Sequence, residues 1–399
     1  MLSGRKILIG VTGGIAAYKI PDLVRQFIRA GAEVKVVMTK DATTFVTQET
    51  LSVLSRNEVY LDFFTESKTW NNHVHLAEWA DYLLIAPLTV NTLAKMANGF
   101  CDNLLMAVYQ SANCPVVIAP AMDLEMYAID TTQKNIQYLK DQGVHIIEPG
   151  VGELASGLIG KGRMAEPSEI FEKLNFIIKQ SLPWSGKKVL INAGPTYESI
   201  DPVRFIGNRS SGKMGIALAD CAASLGADVI LVLGPSNHQP KSSSIKVISV
   251  ESGDEMFDAC RNVSKDCEIL IFSAAVSDYK PKETKPEKIK KSDASLNLEL
   301  VKTKDILSEI AKSKKPNQFI VGFALETANA IEYAKDKLKR KGLDMIVVNL
   351  AQNTSGKVFG SDFNQISILD KSNKITNFEL MSKDEAAKQI ILSIKESVA

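Results

Sequence analysis

The sequence predicts two α/β domains, each built on a doubly wound, Rossmann-like sheet of parallel strands. Short continuous runs of β-branched and other apolar residues alternate with segments of helix length. The first run ends in a glycine-rich turn, and the same pattern restarts after residue 187. A chain of 399 residues is too long for one ordinary domain and long enough for two.

The predicted elements of the first half are short and evenly spaced. Four buried strands are expected at Lys6–Val11, Glu33–Met38, 82–86 and 115–119, with helices over 16–30 and 169–179. The strand patterns are continuously apolar rather than alternating, which is typical of strands covered on both faces. Such strands belong to a parallel sheet with helices on either side.

The second half repeats this pattern from a strand at Lys188–Ala193. Between the halves, residues 180–187 (QSLPWSGK) interrupt a helical pattern with Pro, Ser and Gly, which favours a linker. We therefore expect a first domain over residues 1–182 and a second over 187–399. RAGAEVKVVMT resembles SLGADVILVLG, but this similarity is generic for α/β folds and favours separate ancestry or convergence over duplication.

Composition narrows the class of protein. A net charge of +1 gives no sign of a nucleic-acid or membrane partner, and no run approaches 18 apolar residues. The first residues, MLSGRKILIG, do not have the pattern of a signal peptide. Five scattered cysteines without a C-x-x-C pair predict reduced thiols in a cytoplasmic protein. With four histidines in the whole chain, a histidine-based metal site is improbable.

A glycine-rich turn, GVTGGI, follows the first strand and places Gly13 and Gly14 where a helix begins. Ligands of doubly wound sheets bind at the carboxyl ends of strands, where free N–H groups face an anion. Thr12 could add a hydroxyl. The turn lacks the G-x-G-x-x-G spacing, and the next strand ends in Thr39-Lys40 rather than in an acidic residue. A mononucleotide phosphate is therefore favoured over NAD, and a dehydrogenase is disfavoured.

A second polar loop follows the strand at 82–86. Thr89 and Asn91 open the next helix and offer a hydroxyl and an amide, which suit a phosphate or the edge of an isoalloxazine ring. An ordinary helix cap is the alternative interpretation.

Five segments in order resemble the flavin-dependent cysteine decarboxylases over residues 6–166. They are GVTGGIAAYK, NNHVHLAEWAD, APLTVNTLAKMANGFCDNLL, APAMDLEMY and PGVGELASGLIGKGRM. The resemblance implies a flavodoxin-like, homo-oligomeric fold and FMN as cofactor. It also implies that His73 is the active-site base and that Asp123 and Met126 belong to the loop that recognises the substrate. The residues implied to bind FMN are Gly13, Gly14, Thr39, Thr89 and Asn91.

Two positions depart from that family pattern. Asp123 stands where the family has asparagine, and an ionised carboxylate would repel a substrate carboxylate unless it is protonated or paired with a cation. Ser156 stands where the family has the cysteine that reprotonates the enethiolate intermediate, and a hydroxyl is a far weaker acid. Either another group supplies this proton, or the reaction stops at the enethiol, or the domain is impaired. The retained histidine and glycines favour the first.

In the second half, NRSSGKMG opens a predicted helix at 216–225 with small residues that can cradle an anion. Met214 follows Lys213 where a P-loop has Ser or Thr, so a P-loop ATPase is disfavoured. A lysine-rich run at 280–291 is either a solvated loop or a cover for a triphosphate.

Residues 188–365 resemble phosphopantothenate–cysteine ligase in the segments NRSSGKMG, SAAVSDY, PEKIKK, GFALET and KGLDMIVVN. The resemblance implies that Asn208 contacts an acyl-nucleotide intermediate and that Lys288 takes part in forming it. It also implies CTP as co-substrate with Mg²⁺, whose ligands it does not identify. The nucleotide-binding positions it implies are Asp278, Lys288, Lys304, Asp305, Ile306, Leu307, Phe323, Lys337 and Lys341.

Together the two resemblances are to the bifunctional phosphopantothenoylcysteine decarboxylase/phosphopantothenate–cysteine ligase family. They imply a cytoplasmic enzyme of coenzyme A biosynthesis that acts on 4′-phosphopantothenate, cysteine and CTP. They also imply trimeric flavin domains and dimeric ligase domains, hence a dodecamer. One alternative is an active ligase fused to a flavin domain that stops at the enethiol. Another is a flavin-binding regulatory protein, which the ligase motifs disfavour.

Overall fold

The computed structural model describes residues 2–65, 67–290, 296–326, 330–350 and 361–398. The chain divides into two compact units, Met1–Lys179 and Gln180–Ala399. Lys291 of the lysine-rich run and Thr327 of GFALET lie outside the described residues.

A six-stranded parallel sheet forms the centre of the first unit, and a two-stranded hairpin lies beside it. The sheet strands are β1 (Lys6–Val11), β2 (Glu33–Met38), β3 (Val59–Tyr60), β4 (Tyr82–Leu88), β5 (Val116–Pro120) and β6 (His145–Ile146), and the hairpin strands are β7 (Gly150–Glu153) and β8 (Ile159–Arg163). The sheet order is β3-β2-β1-β4-β5-β6, which confirms the predicted doubly wound class. The chain reverses its direction of winding between β1 and β4.

Eight α-helices accompany these strands in the described part of the first unit. They are α1 (Ile20–Arg29), α2 (Gln48–Ser55), α3 (His73–Trp79), α4 (Val90–Asn98), α5 (Leu104–Gln110), α6 (Leu124–Ala128), α7 (Asp130–Asp141) and α8 (Pro167–Ser181). The helix predicted over 16–30 is in fact a 3-10 turn, Ile15–Lys19, followed by α1. Pro21 explains the break, because proline lacks an N–H and is tolerated only in the first turn of an α-helix.

The central strand β1 is buried on both faces. Ile7 and Ile9 pack in one cluster with Phe27 of α1, whereas Leu8 points to the other face and packs in a cluster with Leu105 of α5. The continuous apolar run therefore reflects a sheet covered by helices on both sides.

The second unit has an eight-stranded sheet in the order β13-β12-β9-β14-β17-β18-β20-β21. Its strands are β9 (Lys188–Ala193), β12 (Asp228–Leu233), β13 (Lys246–Ser249), β14 (Ile269–Phe272), β17 (Phe319–Glu326), β18 (Met345–Leu350), β20 (Ile366–Asp370) and β21 (Ile375–Asn377). The first six strands of this order are parallel, but β20 and β21 pair antiparallel at one edge. The parallel part matches the prediction, and the antiparallel edge was not foreseen.

Three short strand pairs and five helices complete the described part of this unit. The pairs are β10 (Tyr197–Ser199) with β11 (Phe205–Gly207), β15 (Tyr279–Pro281) with β16 (Leu300–Lys302), and β19 (Phe363–Asn364) with β22 (Met381–Ser382). The helices are α9 (Lys213–Ser224), α10 (Gly253–Ser264), α11 (Ile306–Ala311), α12 (Ala330–Arg340) and α13 (Lys383–Val398). Across the described ranges, each helix is too short or too polar to span a membrane.

Candidate active sites

A cavity of about 940 Å³ opens in the first unit where the winding of the sheet reverses. Turns that follow β1, β2 and β4 contribute to its wall, as the switch-point rule for such sheets predicts. The wall includes all five residues that the sequence associates with a flavin, Gly13, Gly14, Thr39, Thr89 and Asn91. It also includes Asp123 and Met126, which the family resemblance assigns to substrate recognition, and Ser156, which stands where the family has a cysteine.

Gly13 allows two of these turns to touch. A Cβ at this position would collide with Asp41, 2.9 Å from its carbonyl carbon. Asp41 lies two residues after Thr39, in the 3-10 turn Lys40–Thr44. The absence of a side chain at Gly13 therefore brings the turn after β1 against the turn after β2, so that Thr39 reaches the cavity.

Thr12 has a different part from the one that the sequence suggested. Its side chain is buried, and its hydroxyl donates to the carbonyl oxygen of Pro87 at 2.7 Å and accepts from the N–H of Thr89 at 3.1 Å. Instead of facing a ligand, Thr12 ties the turn after β1 to the turn after β4. This hydroxyl therefore holds these two parts of the cavity wall in place relative to each other.

The first cavity fits a flavin mononucleotide in size and in chemistry. Its volume lies at the upper end of the roughly 300–1,000 Å³ of ordinary small-molecule sites. Gly13 and Gly14 expose backbone at a strand end, and Thr39, Thr89 and Asn91 offer hydroxyl and amide groups. These five residues would hold the phosphate and the polar ring edge.

The cations of this cavity are already paired. Lys40 lies 3.2 Å from Asp62, Lys95 lies 2.7 Å from Asp102, and Lys19 and Arg163 share Glu166 at 2.8 and 2.9 Å. The hydrogen bond from Lys95 lowers the pKa of Asp102, and that from Lys19 lowers the pKa of Glu166. Of these residues, only Lys40 entered the predictions from sequence, and the pairing of Lys19 with Glu166, 147 positions apart, carries no local signal.

Asp123 and Ser156 meet at the edge of the cavity. Ser156 lies in the turn of the β7–β8 hairpin, and its hydroxyl donates to Asp123 Oδ1 at 2.9 Å. The hairpin is fastened by the N–H of Met122, which donates to the carbonyl oxygen of Gly162 at 3.0 Å. A Cβ on Gly162, whose φ is +154°, would collide with the carbonyl oxygen of Met122. Glycine thus permits the contact that places Ser156 beside Asp123.

The structure does not bring His73 to this cavity. It begins α3 after the Asn72 cap, and its ring packs edge-on against Phe63 and Trp70, with ring centroids 6.2 Å apart in both cases. Phe63 lines the cavity, whereas His73 does not. His73 Nδ1 is buried without a hydrogen-bond partner among the described residues.

In the second unit, Asn208 lies directly after β11 at the ends of the parallel strands. Its side-chain amide donates to the carbonyl oxygens of Ala275 and Val276, at 3.0 and 3.1 Å. Those two residues lead from β14 to Asp278, which is exposed. Asn208 is therefore hydrogen-bonded to residues that lie two and three positions before Asp278, although Asn208 and Asp278 are 70 positions apart in the chain.

The backbone beside Lys288 is anchored by a buried carboxylate. Asp201 Oδ2 accepts from the N–H of Ile289 at 3.1 Å and from Arg204 at 3.1 Å, and Arg204 also donates to the carbonyl oxygen of Ile289 at 3.3 Å. Burial alone would raise the pKa of Asp201, but backbone N–H groups, among them that of Val203, and Arg204 together lower it. Lys288 itself is exposed. The segment DPVR (residues 201–204) thus positions the backbone of Ile289, next to Lys288.

Several predicted nucleotide-binding residues are connected to one another. Lys341 Nζ lies 2.6 Å from Asp305, which caps α11, and Lys337 donates to the carbonyl oxygen of Phe323 at 2.8 Å. Burial tends to raise the pKa of Asp305, but hydrogen bonds from Lys341 and from the Ser308 N–H outweigh it.

Other members of this set are placed differently. Lys304 lies 3.3 Å from Asp254, which also pairs with Lys280, and the hydrogen bond from Lys280 is the main reason why the pKa of Asp254 is low. The side chains of Ile306 and Leu307 are apolar and buried, so they anchor α11 in the core and offer no polar group to a nucleotide.

A smaller pocket of about 160 Å³ lies at the start of α9. Its wall contains Gly212, Lys213, Phe323 and Lys383. Gly207 lies five residues before Gly212-Lys213, which is the G-x-x-x-x-G-K spacing of a P-loop. Gly207, however, ends a strand of the small β10–β11 hairpin rather than a strand of the main sheet. A P-loop requires the latter, so the spacing does not make one. Within the described ranges, no three His, Cys, Asp or Glu side chains are placed to hold a metal ion.

Two family models cover the chain. The model described as "Flavoprotein" matches residues 1–179, and the model described as "DNA/pantothenate metabolism flavoprotein C-terminal domain" matches residues 184–398.

Relatives match over nearly the full length. A protein from an unknown prokaryotic organism, named "Cysteine/Cysteine sulfinic acid decarboxylase", is 53% identical over 354 residues, which are 88% of this chain and 98% of that protein. The "Coenzyme A biosynthesis bifunctional protein CoaBC" of Bacillus subtilis (strain 168) is 44% identical, with 99% of this chain and 97% of that protein covered. The protein of the same name from Haemophilus influenzae is 42% identical, with 99% and 98% covered.

Proposed function

Because the chain belongs to the bifunctional CoaBC family of coenzyme A biosynthesis, we propose that it catalyses two consecutive steps of that synthesis. The second unit joins 4′-phosphopantothenate to cysteine at the expense of CTP, and the first unit decarboxylates the product to 4′-phosphopantetheine. The observation that carries the proposal is the combination of the flavin-sized cavity with the ligase motif residues in one chain.

The ligase step begins with a carboxylate, which is a poor acyl donor. Attack of this carboxylate on CTP forms an acyl-cytidylate and releases pyrophosphate, after which the amine of cysteine displaces CMP. We propose that Lys288 stabilises the negative charge that develops while the carboxylate is activated. The contacts among Asp201, Arg204 and Ile289 hold the neighbouring backbone in place for this role. Asn208 contacts the intermediate, and Asp278, Lys304, Asp305, Phe323, Lys337 and Lys341 bind the nucleotide with Ile306 and Leu307 as supports. Mg²⁺ accompanies the triphosphate.

In the flavin unit, the five residues Gly13, Gly14, Thr39, Thr89 and Asn91 hold FMN. When bound, FMN accepts a hydride from the carbon that carries the thiol, which makes loss of the neighbouring carboxylate possible. Asp123 and Met126 contact the substrate, and the Ser156 hydroxyl, on the hairpin turn, faces the same cavity. His73 receives the thiol proton, for which an imidazole is suited near neutral pH.

His73 does not line the cavity of its own chain, which supports a site shared between copies of the protein. A homo-oligomer in which the His73 of one copy reaches the cavity of another resolves this separation. We assign trimeric flavin units and dimeric ligase units, which combine into a dodecamer. All five cysteines are free thiols, which fits a cytoplasmic location.

The test is incubation of the purified full chain with 4′-phosphopantothenate, cysteine, CTP and Mg²⁺. Pyrophosphate, carbon dioxide and 4′-phosphopantetheine are the expected products, and the protein is expected to be yellow. Pyrophosphate without carbon dioxide would contradict the decarboxylase step. Carbon dioxide from added phosphopantothenoylcysteine, without pyrophosphate from the first substrates, would contradict the ligase step.

A further inference from the structure

Resting on the decarboxylase function proposed above, we infer that the flavin unit also takes cysteine whose amino group is free, and that Asp123 is the specificity-determining residue that binds its ammonium group. The substrate class is a β-thiol α-amino acid without an acyl group on nitrogen. Phosphopantothenoylcysteine, in contrast, carries an uncharged amide at that nitrogen.

Asp123 is a carboxylate without a cationic partner in a cavity whose cations are already paired. Lys40, Lys95, Lys19 and Arg163 all have acidic partners within 3.2 Å. In the part of the chain that the structure describes, Asp123 Oδ1 accepts from the neutral N–H of Leu124 and the neutral hydroxyl of Ser156, both at 2.9 Å. No described donor reaches Oδ2, so this oxygen is available to a ligand.

The two neutral donors also fix the direction of the carboxylate. Leu124 N–H belongs to the first turn of α6, and Ser156 belongs to the β7–β8 turn, so Asp123 is held from two sides. A carboxylate held in this way loses little conformational freedom when a cation arrives. An asparagine at this position would keep one acceptor oxygen but would bring no charge.

The charges of the two substrate classes decide between them. The α-carbon of free cysteine carries both an ammonium and a carboxylate, and the ammonium pairs with Asp123. The α-carbon of phosphopantothenoylcysteine carries a carboxylate and a neutral amide, so Asp123 can accept from the amide N–H but gains no ion pair. Asp123 therefore favours the free amino acid more than asparagine would.

The reaction with free cysteine balances without an external oxidant or reductant. The bond between Cα and the carboxylate breaks, carbon dioxide leaves, and a proton from water is added at Cα to give cysteamine. The hydride removed from the thiol-bearing carbon is returned to the same molecule.

A binding experiment isolates the ammonium from the chemistry. S-Methylcysteine cannot be oxidised as a thiol, and calorimetry with the flavin-loaded full chain is expected to show at least tenfold weaker binding to Asp123→Asn, or about 1.4 kcal/mol. N-Acetyl-S-methylcysteine is expected to bind both proteins alike. Asp141→Asn, which removes an exposed carboxylate at the end of α7, is the matched control and is expected to behave as the wild type.

Carbon dioxide release is then measured from cysteine and from phosphopantothenoylcysteine in separate assays without CTP. We expect release from both substrates in the wild type. In Asp123→Asn, release from cysteine is expected to fall at least tenfold relative to release from phosphopantothenoylcysteine. Retention of the flavin spectrum shows that the variant is folded.

The outcomes separate this inference from the proposed function. Release from phosphopantothenoylcysteine but not from cysteine in the wild type would overturn the inference and leave the function standing. Release from cysteine alone would overturn the function and leave the inference standing. Equal binding of S-methylcysteine to the wild type and to Asp123→Asn would overturn the assignment of Asp123.

Discussion

The Ser156 hydroxyl donates a hydrogen bond to Asp123 Oδ1 at 2.9 Å, so the two positions at which the chain departs from its family pattern are in direct contact. They are 33 residues apart in sequence, and the hairpin of β7 and β8 brings them together. A change at one of them therefore alters the surroundings of the other, and the two are expected not to act additively in a double mutant.

Ser156→Cys is expected to speed return of the reducing equivalents to the product, because a thiol is a far stronger acid than a hydroxyl and protonates the enethiolate more readily. Under anaerobic conditions with added phosphopantothenoylcysteine, the visible flavin absorbance should recover about tenfold faster than in the wild type. Ser156→Ala, which can donate no proton, is the control and should recover no faster than the wild type. Equal rates in Ser156→Cys and the wild type would show that position 156 is not the proton donor.

Lys341→Ala is expected to raise the KM for CTP about tenfold, because a charge-assisted contact with the nucleotide is lost and Asp305 is left without its partner. Lys339→Ala is the matched control, since Lys339 is an exposed residue of α12 two positions away. Steady-state kinetics of pyrophosphate release measure both. A KM for CTP that changes equally in the two variants would show that general positive charge, rather than Lys341, matters.

Asp201→Ala is expected to reduce the kcat of the ligase by up to about a hundredfold, because a misplacement of about 1 Å in a catalytic group has such an effect. Asp201 contacts Ile289 beside Lys288, and among the described residues its side chain bonds to Val203, Arg204 and Ile289 rather than to a proposed nucleotide-binding residue, so the KM for CTP should change little. Carbon dioxide release from added phosphopantothenoylcysteine should be unchanged, which controls for folding of the flavin unit. Glu396→Gln near the end of α13 is a surface control. A rise in KM with an unchanged kcat would contradict a positioning role.

The fold was largely predictable from the sequence because its strands are buried on both faces. β1, β2 and β9 have the predicted bounds, since continuous apolar runs between helices leave few alternatives. The antiparallel pair β20–β21 was missed, because its strands are short and one of them, Ile375–Asn377, is exposed throughout. The break before α1 depends on a single proline within an otherwise helical pattern.

The sites were predictable where motifs lie at strand ends. The turns that carry Gly13, Thr39 and Thr89 converge because parallel strands end at one edge of the sheet. The contact of Asp123 with Ser156 and that of Asp201 with Ile289 were not predictable, because each joins segments that only the folded chain brings together. The same holds for the position of His73, which its sequence motif marks but does not place relative to the cavity.

Two inactive variants are expected to complement each other if His73 acts in the cavity of another copy. His73→Asn removes the base, and Asn91→Trp fills the cavity at an exposed position, so each variant alone should release no carbon dioxide. Co-expressed in equal amounts, they should regain about a quarter of the wild-type activity, since that fraction of sites combines an intact cavity with an intact histidine. A mixture as inactive as its components would place His73 and its cavity in the same copy.

Alkaline pH is expected to destabilise the second unit through two buried thiols. Burial raises the pKa of Cys260 from 9.0 to about 12 and that of Cys267 from 9.0 to about 11. The folded state therefore keeps protons that the unfolded state loses, so the stabilisation is complete below about pH 9 and is lost as the pH rises toward the folded pKa values. Each thiol should lower the free energy of unfolding by about 1.4 kcal/mol per pH unit in that range.

Urea unfolding of the second unit, followed from about pH 8 to pH 11, measures this slope. Cys260→Ala should reduce the slope by the share of one thiol, whereas Cys101→Ala, which changes an exposed cysteine of the first unit, should leave it unchanged. Other groups also titrate in this range, and the difference between the variants removes their contribution. A slope that Cys260→Ala does not alter would show that Cys260 ionises equally in both states and would contradict the burial of this thiol in α10.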